Sequence, residues 1–234
     1  AADEDISKVL GVYSFHSYFN DNDKIKKDRF GKWLSENVSV RSDMSEWCEL
    51  PSQHDATDPA TAMIMARVIS NDIGCLNVNG WSNWVAVNEK GINPDDGLDY
   101  SDGLLFADPN DPSDYYISYR YYGYMQYSRF IPVGSKVLDC SDGVFTVAAY
   151  QDDEGIHFRE LVNETSYLTP DGDIVVVVVN EGNTRKVKIK PEGYSNVSVY
   201  TTDAERRCEE VYSGEVKESY ESAANSVSTY VFSK

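Results

Sequence analysis

The chain has 234 residues and carries 39 Asp+Glu against 21 Lys+Arg, a formal net charge of −18. With 41% hydrophobic residues it can bury a core, which excludes wholesale disorder, and the acidic balance argues against nucleic acid or an anionic membrane surface as partner. Four cysteines without a CxxC pair and three scattered histidines, His16, His54 and His157, offer no metal-ligand spacing, so neither a metal nor a cofactor is expected.

In chain order, residues 9–16 read as an apolar strand with a polar, aromatic tip. A lysine-rich helix follows over 24–35, with Ile25, Phe30, Trp33 and Leu34 on one face. Residues 38–45 form a second strand, ending at Glu46 and Trp47. The next helix has Asp58 as N-cap and Pro59 in its first turn, an apolar stripe of Ala62, Met65, Ala66, Ile69 and Ile73, and Gly74 as its stop. Residues 75–81 read as a third strand, 88–113 as a long polar loop, and 115–130 as a tyrosine-rich helix ended by Pro132 and Gly134. Beyond Gly134 the texture changes to serial short strands. Residues 174–179 are apolar on both faces and belong in the centre of a sheet. Residues 180–183 read as a hairpin turn into an alternating strand over 185–190, and further strands cover 197–201 and 228–232. The fold class is therefore α/β followed by all-β. No apolar run approaches the roughly 17–25 residues of a membrane span. The opening Ala-Ala-Asp-Glu-Asp lacks the basic and then apolar pattern of a secretory leader.

Three strand ends carry unusual side chains: Phe15-His16-Ser17-Tyr18, Met44-Ser45-Glu46-Trp47, and Gly80-Trp81-Ser82-Asn83-Trp84. A carboxylate, a phenol and indoles on one face suit a sugar, because indoles stack on the apolar faces of pyranose rings. Hydrolysis of a glycosidic bond needs a second carboxyl, about 5–5.5 Å from the first in retaining enzymes.

These three motifs resemble the last three strand ends of the barrel in glycoside hydrolase family 30, which includes glucosylceramidases, endo-β-1,6-galactanases and glucuronoxylanases. Residues 122–134, Tyr-Gly-Tyr-Met-Gln-Tyr-Ser-Arg-Phe-Ile-Pro-Val-Gly, are similar to the family's final barrel helix and exit. The resemblance implies that Glu46 is the catalytic nucleophile and that Tyr18 orients it. It places Trp84 and Trp81 at the floor of the sugar subsite, with His16 shaping the pocket. The run Asp99-Tyr100-Ser101-Asp102-Gly103-Leu104 resembles a loop of the galactanase-like branch. The expected fold is thus a partial (β/α)8 TIM barrel over residues 1–134, its last three βα units, and a β-sandwich side domain over 135–234. A full barrel takes about 250 residues, and the family's acid/base, a Glu after an Asn on the fourth strand, has no counterpart upstream of Glu46. Asn88-Glu89, Asn163-Glu164 and Asn180-Glu181 spell that dipeptide downstream and are read as decoys.

The resemblance implies a retaining glycosidase acting on β-linked oligo- or polysaccharides, extracellular or secreted, with the acid/base outside this chain. The alternative is a non-catalytic glycan-binding or scaffolding fragment. In either case the open sheet edge calls for a complementary N-terminal chain, self-association or a rearranged edge.

Overall fold

The computed structural model describes residues 8–18, 20, 23–49, 55–91, 102–138, 147–152 and 155–234. The N-terminal part runs β1 (Val12–His16), α1 (Lys24–Asn37), β2 (Arg41–Glu46), α2 (Ala60–Leu76) and β3 (Gly80–Trp81). The strands form one parallel sheet in the order β1-β2-β3. Parallel neighbours need a crossover, and each helix supplies one. The Asp23 carboxylate caps α1 by accepting from the Lys26 N–H at 2.8 Å. The helix then buries Leu34 and sets the Phe30 ring edge-on to Phe15, 5.2 Å between centroids.

At the start of α2 the Asp58 carboxylate accepts from the Ala60 N–H at 2.8 Å, just ahead of the first turn. The far end departs from the expected stop. Gly74 stays helical, and the chain turns only at Asn77, which adopts a left-handed conformation (φ 51°) and donates its N–H to the Ile73 carbonyl. Cys75 and Leu76, expected at the start of a strand, thereby extend the helix, and β3 shrinks to two residues.

Two glycines set how closely the helices approach. A Cβ on Gly31 would collide with the backbone carbonyl of Cys75, and one on Gly123 with that of Ala62. Gly→Ala in an exposed helix gains about 1 kcal/mol. Overpacking against backbone costs about 1–3 kcal/mol, occasionally more, and dominates here. Gly31→Ala is therefore expected to lower the denaturation midpoint; an unchanged or raised midpoint contradicts the close approach.

The middle of the chain forms a small sheet of β4 (Val87–Glu89), β5 (Leu105–Ala107) and β6 (Tyr115–Ile117), followed by α3 (Tyr119–Ser128). The expected helix from 115 thus begins only at Tyr119. Tyr115–Ile117 pair antiparallel with β5, and Tyr116 stacks on Phe106 at 5.0 Å.

Among the described residues ten strands follow: β7 (Lys136–Leu138), β8 (Val147–Asp152), β9 (Gly155–Glu160), β10 (Val162–Leu168), β11 (Ile174–Asn180), β12 (Arg185–Val187), β13 (Asn196–Thr202), β14 (Glu209–Glu215), β15 (Tyr220–Ser222) and β16 (Ser226–Ser233). Six of them make an antiparallel sheet in the order β14-β13-β16-β11-β10-β7. β11 lies inside it and is buried on both faces. Val175, Val177 and Val179 join a core with Met65, Ala66 and Ile69 of α2 and Tyr127 of α3. Val176 and Val178 face the other way, onto Val199, Tyr220, Tyr230 and Phe232.

One hydrophobic core therefore spans the helical and the strand-rich parts. Buried polar contacts reinforce it: Gln126 of α3 accepts from the Thr229 hydroxyl at 2.6 Å and donates to Thr202 at 2.8 Å, and Arg67 pairs with Glu181. The expected hairpin at 180–183 is not one. β12 pairs with β15 in a separate two-stranded sheet, and the Asn180 amide donates to the carbonyls of Asn183, Ser222 and Ala223, holding a corner between sheets. β12 also ends at Val187, short of the expected 190. Among the described residues no helix is long and apolar enough to cross a membrane, and no cluster of His, Cys, Asp and Glu is arranged to hold a metal.

Candidate active site

β1 and β2 run side by side with Phe15 opposite Met44, but the register then slips, so that His16 lies opposite Glu46 rather than Ser45. A bulge of this kind re-aims the side chain that follows it. It brings the Glu46 carboxylate to the C-terminal edge of the sheet, beside the end of β1. The chain turns just after β1 and sets the Tyr18 ring edge-to-face against His16 at 5.7 Å. Both reach Glu46: the Tyr18 hydroxyl donates to its Oε1 at 2.9 Å, and His16 Nδ1 lies 3.7 Å from the same oxygen. Burial, then the contacts with Cys48 and Glu46, push the Tyr18 phenol far above its ordinary range. It therefore stays protonated and donates toward the carboxylate.

Sequence reasoning had assigned no role to Cys48. It is buried, with Sγ 3.8 Å from the Tyr18 hydroxyl, and burial raises its thiol above the usual value. The signal was the spacing, since Cys48 follows Glu46 by two residues. Glu49 forms a buried ion pair with Arg120 of α3, with Oε2 at 2.5 Å from Nη2, which fixes the segment after β2 onto the third helix.

The two indoles are placed differently. Trp84 is 52% exposed, and its backbone N–H donates to the Trp47 carbonyl at 2.8 Å, one residue beyond Glu46. Trp81 is half-buried. Its ring lies 6.0 Å from Trp47 and 5.9 Å from Tyr124, and its N–H points inward to Asp72 at 2.8 Å. The structure thus brings Glu46, Tyr18 and His16 into contact, sets the Trp84 backbone alongside, and turns the polar edge of Trp81 toward the interior. Of the other positions singled out, His54 and Asp99, Tyr100 and Ser101 lie outside the described residues. Of the three downstream Asn-Glu pairs, Glu181 is engaged by Arg67.

The molecule is thus defined by a parallel βα sheet bearing a carboxylate at its C-terminal edge, fused to an antiparallel side domain. Residues 134–230 match the family model described as the glycosyl hydrolase family 30 beta sandwich domain, so the chain carries a family 30 C-terminal domain. Among solved structures it is similar to a GH30 endoxylanase from Clostridium papyrosolvens C71 (TM-score 0.70, 19% identity, covering 100% of this chain and 51% of that one). It is also similar to a conserved exported protein from Bacteroides fragilis (TM-score 0.70, 18% identity, 94% and 45%). A third likeness is to the family 30 subfamily 8 xylanase Xyn30A from Clostridium acetobutylicum (TM-score 0.68, 18% identity, 99% and 51%). The chain spans about half the length of these structures, and at such identities the likeness establishes the fold. No curated protein matches the chain.

Proposed function

We propose that this chain is the C-terminal part of a retaining glycoside hydrolase acting on β-linked glycans, comprising the last strands of a (β/α)8 barrel over 1–134 and the side domain over 135–234. Glu46 is its nucleophile. The observation that carries the reading is the Glu46 carboxylate at the C-terminal end of a parallel strand, where barrel enzymes gather catalytic groups, held there by a protonated tyrosine. In this mechanism Glu46 attacks the anomeric carbon and forms a glycosyl ester. A carboxylic acid from the missing part protonates the leaving oxygen, and water then releases the sugar with that same group as base. Tyr18 holds the attacking oxygen, His16 borders it, and Trp84 offers an exposed indole to the sugar ring. The xylanases named above and the endo-β1,6-glucanase BT3312, matched with TM-score 0.65, support a β-linked glycan as substrate. The exported Bacteroides relative supports an extracellular setting. The test is labelling of the complete protein with a 2-fluoro glycoside bearing an activated leaving group, which requires the nucleophile but no acid. The ester is expected on Glu46; a label on another carboxylate overturns the assignment.

The exposed indole favours a second reading, glycan retention without turnover. Trp84→Ala is expected to weaken β-glycan binding by about 10-fold, as for the loss of one stacking aromatic. Calorimetry with the unaltered chain and the variant decides: equal affinities remove Trp84 from the site.

An open sheet edge supports docking of a complementary N-terminal chain or a second copy. Among the described strands β1 pairs only with β2, and Val9 (83% exposed), Val12, Ile25 (67%) and Trp33 leave apolar surface around that open edge. The isolated chain is expected to elute above its monomer mass, and Val12→Lys with Ile25→Lys to shift it toward monomer. A clean monomer before substitution removes the docking edge.

A further inference from the structure

We infer that Asp72 is a positioning residue for the Glu46 site, tying the Tyr18 and Trp84 segments to a single buried acceptor; this rests on the reading of Glu46 as nucleophile. Asp72 sits on α2, behind the sheet, and is 0% exposed. Its oxygens collect donors from three other segments. Lys27 Nζ of α1 reaches Oδ1 at 2.5 Å, and Oδ2 accepts from the Ser17 hydroxyl at 2.9 Å and the Trp81 indole N–H at 2.8 Å. No bond to Glu46 is involved, so any effect on chemistry passes through the two segments.

The first tie runs through Ser17. Ser17 opens the turn that follows β1, so anchoring its side chain inward fixes how the chain leaves the strand. Ser17 is buried and bonded to Asp72, and its neighbours His16 and Tyr18 are the pair that face Glu46. The second tie runs through Trp81. The chain beyond it is pinned to the strand of Glu46 by the Ser82 N–H on the Met44 carbonyl at 3.0 Å and the Trp84 N–H on the Trp47 carbonyl at 2.8 Å. Asp72 fixes the start of that segment, and Trp84 lies at its end. One carboxylate therefore sets both the group that orients the nucleophile and the indole offered to the sugar.

Because Asp72 also neutralises Lys27, the ties are best cut one at a time in the complete protein. With an activated 2-fluoro glycoside, Ser17→Ala is expected to slow the inactivation rate constant about 3–10-fold and leave the half-saturating concentration unchanged, the loss expected for one hydrogen bond. Ser17→Thr, which keeps the hydroxyl, is expected to match the unaltered protein. Trp81→Phe, which keeps one aromatic ring but loses the donor together with the fused second ring, is expected to raise the half-saturating concentration by at least the same factor and spare the rate constant. A purely structural role lowers the melting temperature of both variants but gives no such split among folded molecules, and unchanged constants overturn the inference while Glu46 remains labelled. Failure to label the unaltered protein overturns the glycosidase reading instead. The crystal structure of Ser17→Ala then decides the positioning on its own, where an unmoved Tyr18–Glu46 contact counts against it.

Discussion

Glu46→Ala in the complete protein is expected to cut turnover of an activated aryl β-glycoside by on the order of 10⁴–10⁶-fold, the scale on which groups of a concerted catalytic set fail when removed. The size follows from the mechanism. Without a carboxylate at the anomeric carbon no glycosyl ester forms, and the two-step route closes. The alanine leaves space where the carboxylate stood, so added azide is expected to restore turnover and yield a glycosyl azide of inverted configuration. Rescue of this kind separates a missing nucleophile from a misfolded site. Tyr18→Phe is smaller in effect. It removes one donor to a charged oxygen, which is worth about 10–100-fold. Because burial and its neighbours hold the Tyr18 phenol well above its ordinary range, an alkaline fall in activity below pH 10 would come from another group. Full activity in Glu46→Ala removes Glu46 as the nucleophile.

How much of this was legible in the sequence depends on whether a signal is local. β11 was readable because a run of valines apolar on both faces fits only the inside of a sheet. The place of Glu46 at a strand end was readable from the polar, aromatic tip of its motif, and the structure sets it there beside Tyr18 and His16. The slip that sets His16 opposite Glu46 was not readable, since register depends on the partner strand. The end of α2 went past Gly74 for a tertiary reason. Cys75 packs against the face of α1 that Gly31 opens, and Asn77 supplies the left-handed turn a glycine would otherwise provide. Tyr115–Ile117 could satisfy a helix or a strand pattern, and pairing with Leu105–Ala107 decided it. At 180–183 the expected hairpin turn is a bend that leads to another sheet. The buried Asn180 amide joins carbonyls some forty residues away, which no local pattern shows. Asp72 carried one weak signal, as the one acid of a helix with a long apolar stripe. Its meaning emerged only when Lys27, Ser17 and Trp81 came together around it.

Asp72→Asn is expected to destabilise the fold by about 3–5 kcal/mol, the cost of leaving one member of a buried ion pair without its counter-charge. Lys27 is 3% exposed and reaches Asp72 Oδ1 at 2.5 Å, so water cannot replace the lost charge without opening the contact between α1 and α2. The neighbours sharpen the argument. Ser17 and Trp81 both donate to Asp72 Oδ2, and an amide nitrogen turned toward either would set donor against donor. Removing both charges should cost less than removing one. Lys27→Met with Asp72→Asn discards the ammonium and its desolvation penalty together, and is expected to recover most of the loss. Chemical denaturation of the two single variants and the double variant closes the cycle, and the coupling energy is read directly from it. Additive single effects would show that the ammonium and the carboxylate act independently, and the picture of α1, α2 and the site-bearing strand ends joined through one charged centre would fall.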